Sequence, residues 1–143
     1  MSRYMLIMRS TPEAEKAMAE QNIDFNEIIE AMGRYNEELI KAGVMLAGEG
    51  LHPSAKGAKV RFEGGKRTVT DGPFTEAKEL IGGYWIWECA SRDEAIEWIK
   101  RAPFPDGTEI QLRQVFEDED FDDVMTPELR EAQSRLREQT ETR

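Results

Sequence analysis

Apolar residues recur along this chain at two spacings, and the changes from one to the other divide its first 116 residues into strands and helices. Residues 3–9 read as an apolar strand, and Thr11-Pro12-Glu13 then offers a cap, a proline at the first helical position and an acid behind it. A short helix or helical turn follows. From Asp24 onward, Phe25, Ile28, Ile29, Met32, Tyr35, Leu39 and Ile40 fall at helical spacing, which predicts one buried face, and Gly43 supplies the stop. Residues 44–47 make a second strand. Residues 59–62 and 67–70 flank Glu63-Gly64-Gly65-Lys66, a hairpin whose Gly-Gly centre suits a primed turn. Residues 82–88 alternate as another strand, Ser91 caps a helix with Ala95, Ile96, Trp98 and Ile99 on its buried side, and Pro103 ends it. Residues 109–115 form the last strand.

Strand, helix, strand, hairpin, strand, helix, strand is the ferredoxin-like βαββαβ order with an inserted β-hairpin. It predicts an α+β fold with helices on one sheet face only. The other face cannot stay apolar in water, so self-association is expected. In the last strand Ile110 and Leu112 can face the helices, which puts Glu109, Gln111 and Arg113 opposite. Buried charge is costly unless paired, so Arg113 is expected either to pair with a carboxylate such as Glu49 or Glu79 or to await an anionic ligand. Trp85 and Trp87 share one strand face. They pack in the core or, turned the other way, wall an apolar pocket for a small aromatic or acyl ligand; strand parity leaves both readings open.

The densest chemistry lies in residues 70–79, Thr-Asp-Gly-Pro-Phe-Thr-Glu-Ala-Lys-Glu. Asp71-Gly72-Pro73 reads as a turn that aims the Asp71 carboxylate, Thr75 can cap a following helix, Glu76 sits in its first turn, and Glu79 lies about one turn on. His52 is the one histidine, just past a strand end between Gly48-Glu49-Gly50-Leu51 and Pro53. Histidine titrates near neutrality, so it can move a proton if a carboxylate such as Asp71 orients one ring nitrogen. Ser54 lacks an elbow turn, so no nucleophile stands out, and the glycine-rich pieces match neither phosphate-loop nor dinucleotide fingerprints, which excludes several common enzyme classes; no cofactor is expected. One histidine among scattered acids lacks metal-ligand spacing, and no metal is expected either.

These pieces resemble the YCII-related proteins and, within them, the subgroup named for its Asp-Gly-Pro-Phe (DGPF) motif. The resemblance rests on residues 4–7 (Tyr-Met-Leu-Ile), on 42–53 from Ala42 to Pro53, on 71–79 followed by Gly82-Gly83-Tyr84, and on 109–114. It implies a dimeric α+β barrel, in which ferredoxin-like sheets pair face to face. It also implies a His–Asp pair with a catalytic role, which falls on His52 and Asp71, and a genetic association with extracytoplasmic-function sigma factors.

Composition narrows the partners. The chain has 143 residues and a net charge of −10, which repels a phosphate backbone and argues against nucleic acid. The charge is uneven: residues 117–143 carry ten acids and four bases, so 1–116 reads as the folded domain and 117–143 as an acidic extension. Within it, Thr126-Pro127-Glu128 can start a helix with Leu129, Ala132 and Leu136 in a narrow stripe. One cysteine, Cys89, excludes an internal disulfide and suggests a cytoplasmic setting, and no apolar run approaches a membrane span.

Two functions of different classes fit. One is a small enzyme of lyase or hydrolase type, with His52 as general base or acid, Asp71 orienting it, Arg113 or Lys78 steadying an anion, and Glu49, Glu79 and Trp85 lining the pocket. The other is a non-catalytic ligand-binding or regulatory homodimer, its acidic tail docking on a basic partner such as a sigma factor. A His52 ring within reach of Asp71 in an enclosed pocket favours the enzyme; an exposed ring favours the module.

Overall fold

The computed structural model describes residues 1–20 and 25–141. Its elements are β1 (Ser2–Ser10), α1 (Pro12–Glu20), α2 (Phe25–Lys41), β2 (Met45–Gly50), β3 (Ala58–Glu63), β4 (Lys66–Asp71), β5 (Leu80–Cys89), α3 (Arg92–Lys100), β6 (Ile110–Gln114) and α4 (Pro127–Glu141). The caps are those the sequence supplies. Thr11 Oγ1 accepts the Ala14 N–H at 3.0 Å, and Ser91 Oγ accepts the Glu94 N–H at 3.1 Å while Glu94 Oε2 accepts the N–H of Ala90, the residue before the cap, at 2.8 Å. Asp24, where the spacing begins α2, lies outside the described residues.

The molecule is α+β. A four-stranded antiparallel sheet runs in the order β2-β5-β1-β6, and β3 and β4 form a separate two-stranded sheet. The hairpin turns at Gly64 and Gly65, with φ of 55° and 79°, the left-handed pair that a primed turn demands. Register decides the two faces of the main sheet. Tyr4 lies opposite Trp87 and Leu6 opposite Trp85, while the alternate residues Met5 and Ile7 lie opposite Ile86 and Tyr84.

The first set is the core. Tyr4, Leu6, Trp85, Trp87 and Cys89 are buried with Val44, with Tyr35 and Leu39 of α2 and with Ala95 of α3. Ile110 and Leu112 pack on the same side, as their parity requires. Two polar groups carried inward tie the helices to this core: Trp85 Nε1–H donates to Asn36 Oδ1 at 3.0 Å, and the Tyr35 hydroxyl donates to the Trp98 carbonyl, joining α2 to α3, whereas the buried Trp87 Nε1–H has no partner among the described residues. Burial pushes the Tyr35 phenol up to about 12 and the Cys89 thiol up to about 11. Trp85 and Trp87 therefore belong to the helix-facing core, which removes the reading that places them on a pocket wall.

Two other expectations are corrected. α2 packs through Met32, Tyr35 and Leu39, while Phe25, Ile28, Ile29 and Ile40 are 49–66% exposed. Helical spacing says which residues share a stripe, not how far the neighbouring sheet extends beneath it. No helix follows Thr75: residues after Phe74 make a single turn, with the Ala77 N–H on the Phe74 carbonyl at 3.2 Å, before buried Leu80 starts β5. A helix nucleus of one turn has no length in which to recover its ordering cost.

The C-terminal extension is anchored rather than buried. Val115 N–H donates to the Arg3 carbonyl at 2.9 Å, and Arg3 then holds Glu117 through Nε–H at 2.7 Å and Nη2–H at 3.1 Å. Arg137 of α4 reaches Asp118 at 3.2 Å, so bases from β1 and α4 quench the self-repulsion of the acidic run. Leu129 and Leu136 of α4 stay exposed.

The hydrogen bond from Arg3 is the main reason the Glu117 carboxyl is held below its ordinary range. A carboxylate with a depressed folded-state pKa stabilises the fold above its unfolded pKa and loses that contribution as pH falls through the folded value. Amide protection factors across residues 118–141, which are corrected for the intrinsic slowing of exchange in acid, should therefore fall on acidification below the usual glutamate range. Arg3→Ala should produce a comparable loss of protection at pH 7, roughly two- to fivefold for a partly exposed pair, and should flatten the acid dependence. Identical exchange profiles for Arg3→Ala and the parent chain would show that the pair does not hold the extension.

Candidate functional site

After β2 the chain leaves the main sheet, and it returns only at β5. The two links around the β3–β4 hairpin are tied together at Ser54. Leu51 N–H still donates to the Gly82 carbonyl at 3.0 Å; Pro53 then leads into a 3₁₀ turn at Ser54–Lys56. The Ser54 N–H and hydroxyl both donate to the Glu15 carboxylate of α1, at 2.7 and 2.6 Å, and Ser54 Oγ accepts the Phe74 N–H at 3.2 Å. Gly72 N–H donates to the Gly57 carbonyl at 2.9 Å. Gly72 lies so close to the Ser54 carbonyl that a Cβ there would overlap it, so this position requires glycine. The Gly72–Pro73 peptide is cis, and Lys59 Nζ sits 4.4 Å from the Phe74 ring centre.

This knot fixes the backbone on either side of both proposed catalytic residues, with His52 two positions before Ser54 and Asp71 directly before Gly72. Their side chains are another matter. Both are exposed, and among the described residues no hydrogen bond or ion pair joins them. A single chain presents two positioned groups that are not coupled.

The remaining candidates divide between the sheet and its edge. Glu49 lies opposite Tyr84 and Arg113 opposite Met5, both on the sheet face away from the core, both exposed, and both without an ion pair among the described residues. Glu79 does not serve Arg113. It pairs with Arg9, which also holds Glu109 through Nη1 at 2.8 Å. Arg9 was legible in principle, since it shares strand parity with Met5 and Ile7, but acids and bases 70 or more positions apart carry no local signal of pairing. Lys78 is exposed and unpaired among the described residues, and Trp85 is in the core. Glu15 and Ser54 carry no signal at all as a pair, being 39 residues apart. Among the described residues no cluster of three His, Cys, Asp or Glu side chains converges to hold a metal, and no helix is long and apolar enough to cross a membrane. A groove lined by Asp122, Met125, Arg130 and Ser134 lies along the C-terminal extension and contains none of the candidate residues.

Comparison with known proteins gives a family and one relative. The family model of the YCII-related domain matches residues 2–119. An uncharacterized protein of Rhizobium meliloti (strain 1021) is 30% identical over 73 residues, 51% of this chain and 59% of the relative's own length. The match thus spans less than two thirds of that relative, and its description assigns no activity.

Removing Glu15 leaves the Ser54 N–H and hydroxyl without their charged acceptor. Glu15→Ala should lower stability by about 1–3 kcal/mol and raise amide exchange in residues 51–58 and 71–75 together, read by chemical denaturation and exchange mass spectrometry. A loss confined to the first segment would show that the two links are not fastened to one another.

Proposed function

The chain belongs to the YCII-related family, and on that premise we propose that it works as a homodimer, a dimeric α+β barrel of ferredoxin-like protomers in the DGPF subgroup, enclosing a chamber for a small anionic ligand. The observation that carries this is the sheet face turned away from α2 and α3. Met5, Ile7, Tyr84 and Ile86 are only half-buried there, Ile81 beside Arg9 is 53% exposed, and Arg113 stands among them with no carboxylate partner among the described residues. An apolar face with an uncommitted guanidinium fits two needs at once: a second copy to cover it and a carboxylate or phosphate to neutralise it. Tyr84 adds an aromatic surface, which favours an aromatic or acyl acid over a bare inorganic anion. Glu49 and Lys78 stand at the rim as polar selectors.

In an enzymatic form of this site His52 is general base or acid, Asp71 orients it, and Arg113 or Lys78 steadies the anion of a lyase or hydrolase reaction. That form needs assembly to couple His52 to Asp71, since one chain leaves both exposed. The exposed His52 supports the other form, a ligand-binding dimer without turnover, in which the acidic extension is available to a basic partner such as an extracytoplasmic-function sigma factor. The reducing cytoplasm we propose as its setting suits a lone buried thiol at Cys89, which burial pushes up to about 11.

Titration calorimetry against a panel of small aromatic and acyl carboxylates tests this reading. At least one member should bind, and Arg113→Ala should weaken it by roughly ten- to a hundredfold, the worth of a charge-assisted contact. His52→Ala should leave the affinity within about twofold if the site only binds. Product formation by the parent chain that disappears in His52→Ala would instead establish the enzyme. Absence of binding across the panel, or binding indifferent to Arg113, would refute the chamber.

A further inference from the structure

We propose that the β3–β4 hairpin is a docking surface for a second copy of this chain, and that it receives the partner's acidic segment between β6 and α4. The hairpin is two-sided. Val60 lies opposite Val69 and Phe62 opposite Arg67, so one face is apolar, while Arg61 opposite Thr68 and Glu63 opposite Lys66 make the other face polar. Every residue of both strands is exposed, with Val60 at 53%, Phe62 at 69% and Val69 at 62%. An isolated two-stranded hairpin is marginal in water and needs a third layer to cover its apolar face. Arg67 stacking on Phe62, 4.3 Å from the ring centre, covers part of one ring and nothing more.

Charge identifies the occupant. In a chain of net charge −10 the hairpin is a basic island, with four bases and two acids over residues 58–71. Residues 117–123 are its complement, with six acids and no base, and they are flanked by Phe116 and Val124 at 70% and 76% exposure. Arg3, Arg137 and Arg130 answer Glu117, Asp118 and Asp122, but Glu119 and Asp123 have no ion pair among the described residues. Both surfaces thus pair uncovered apolar residues with uncompensated charge, of opposite sign.

In one chain the hairpin is rooted at the opposite end of the main sheet from the acidic segment. It leaves and rejoins the sheet where Ser10 pairs with Leu80, whereas the acidic segment is pinned at Arg3, which pairs with Glu88 at the other end of the same strands. Seven residues of strand separate those ends, about 23 Å. A two-fold axis across the strands exchanges the ends. It brings each hairpin to the other chain's acidic segment and makes the contact twice.

The test is a charge-swap cycle read by sedimentation velocity over a dilution series. Lys66→Glu with Arg67→Glu on the hairpin, or Glu119→Lys with Asp123→Lys on the acidic segment, should each weaken self-association tenfold or more, because like charges then face each other. All four positions are exposed, and circular dichroism checks that each chain is folded. An equimolar mixture of the two swapped chains restores opposite signs at both contacts and should recover the parent affinity. That recovery depends only on hairpin meeting acidic segment, so it is independent of whether the main sheets pair face to face. Unchanged association in both swapped chains, or a mixture as weak as its components, would overturn the proposal and leave the hairpin to a different acidic partner.

Discussion

Both helices that cover the main sheet sit on the same side of it, and the rest of the structure depends on that asymmetry. The two central strands carry Tyr4 and Leu6 opposite Trp87 and Trp85, and this block of large side chains is what α2 and α3 bury. Truncating a buried tryptophan costs about 3–5 kcal/mol, so this face is fully used for stability. Trp85 and Tyr35 make an edge contact at 5.8 Å between ring centres and both spend their polar ends on helix partners. The alternate residues of the same strands have no such layer. A sheet needs a layer on each apolar face, and a chain of this length supplies one.

The second organising feature is the excursion between β2 and β5. The chain leaves the sheet to build a hairpin with no face buried, and the Glu15–Ser54–Phe74 contacts fasten both ends of that excursion to α1. The carboxylate of Glu15 takes two N–H and O–H donors from one residue, which fixes the 3₁₀ turn more tightly than neutral contacts would. The positions of His52 and Asp71 follow from this fastening. What the single chain does not do is direct their side chains at one another.

Much of the fold was legible in the chain because its signals are local. Gly64-Gly65 specified the hairpin turn, Ser91 and Thr11 specified helix starts, and parity placed Ile110 and Leu112 on the core side. The failures occurred where a distant neighbour decides. Thr75 has the chemistry of a cap, but the claim of β5 on Leu80 leaves no room for a helix behind it. Phe25, Ile28 and Ile29 keep helical spacing, yet whether they are buried depends on where the sheet ends. Arg9 takes Glu79 from Arg113, and Glu15 takes Ser54, through contacts that no spacing rule reports. The candidate site was legible as a set of residues and not as a set of pairs.

Whether a second copy covers the open face is most directly read by oxidative footprinting of Met5, which lies at the centre of that face, with light scattering on the same samples. The account predicts a particle of about twice the 16.4 kDa chain mass at micromolar concentration, with Met5 oxidised far more slowly than the exposed Met18 and that protection lost on dilution. A particle of 16.4 kDa whose Met5 oxidises at a concentration-independent rate would contradict it.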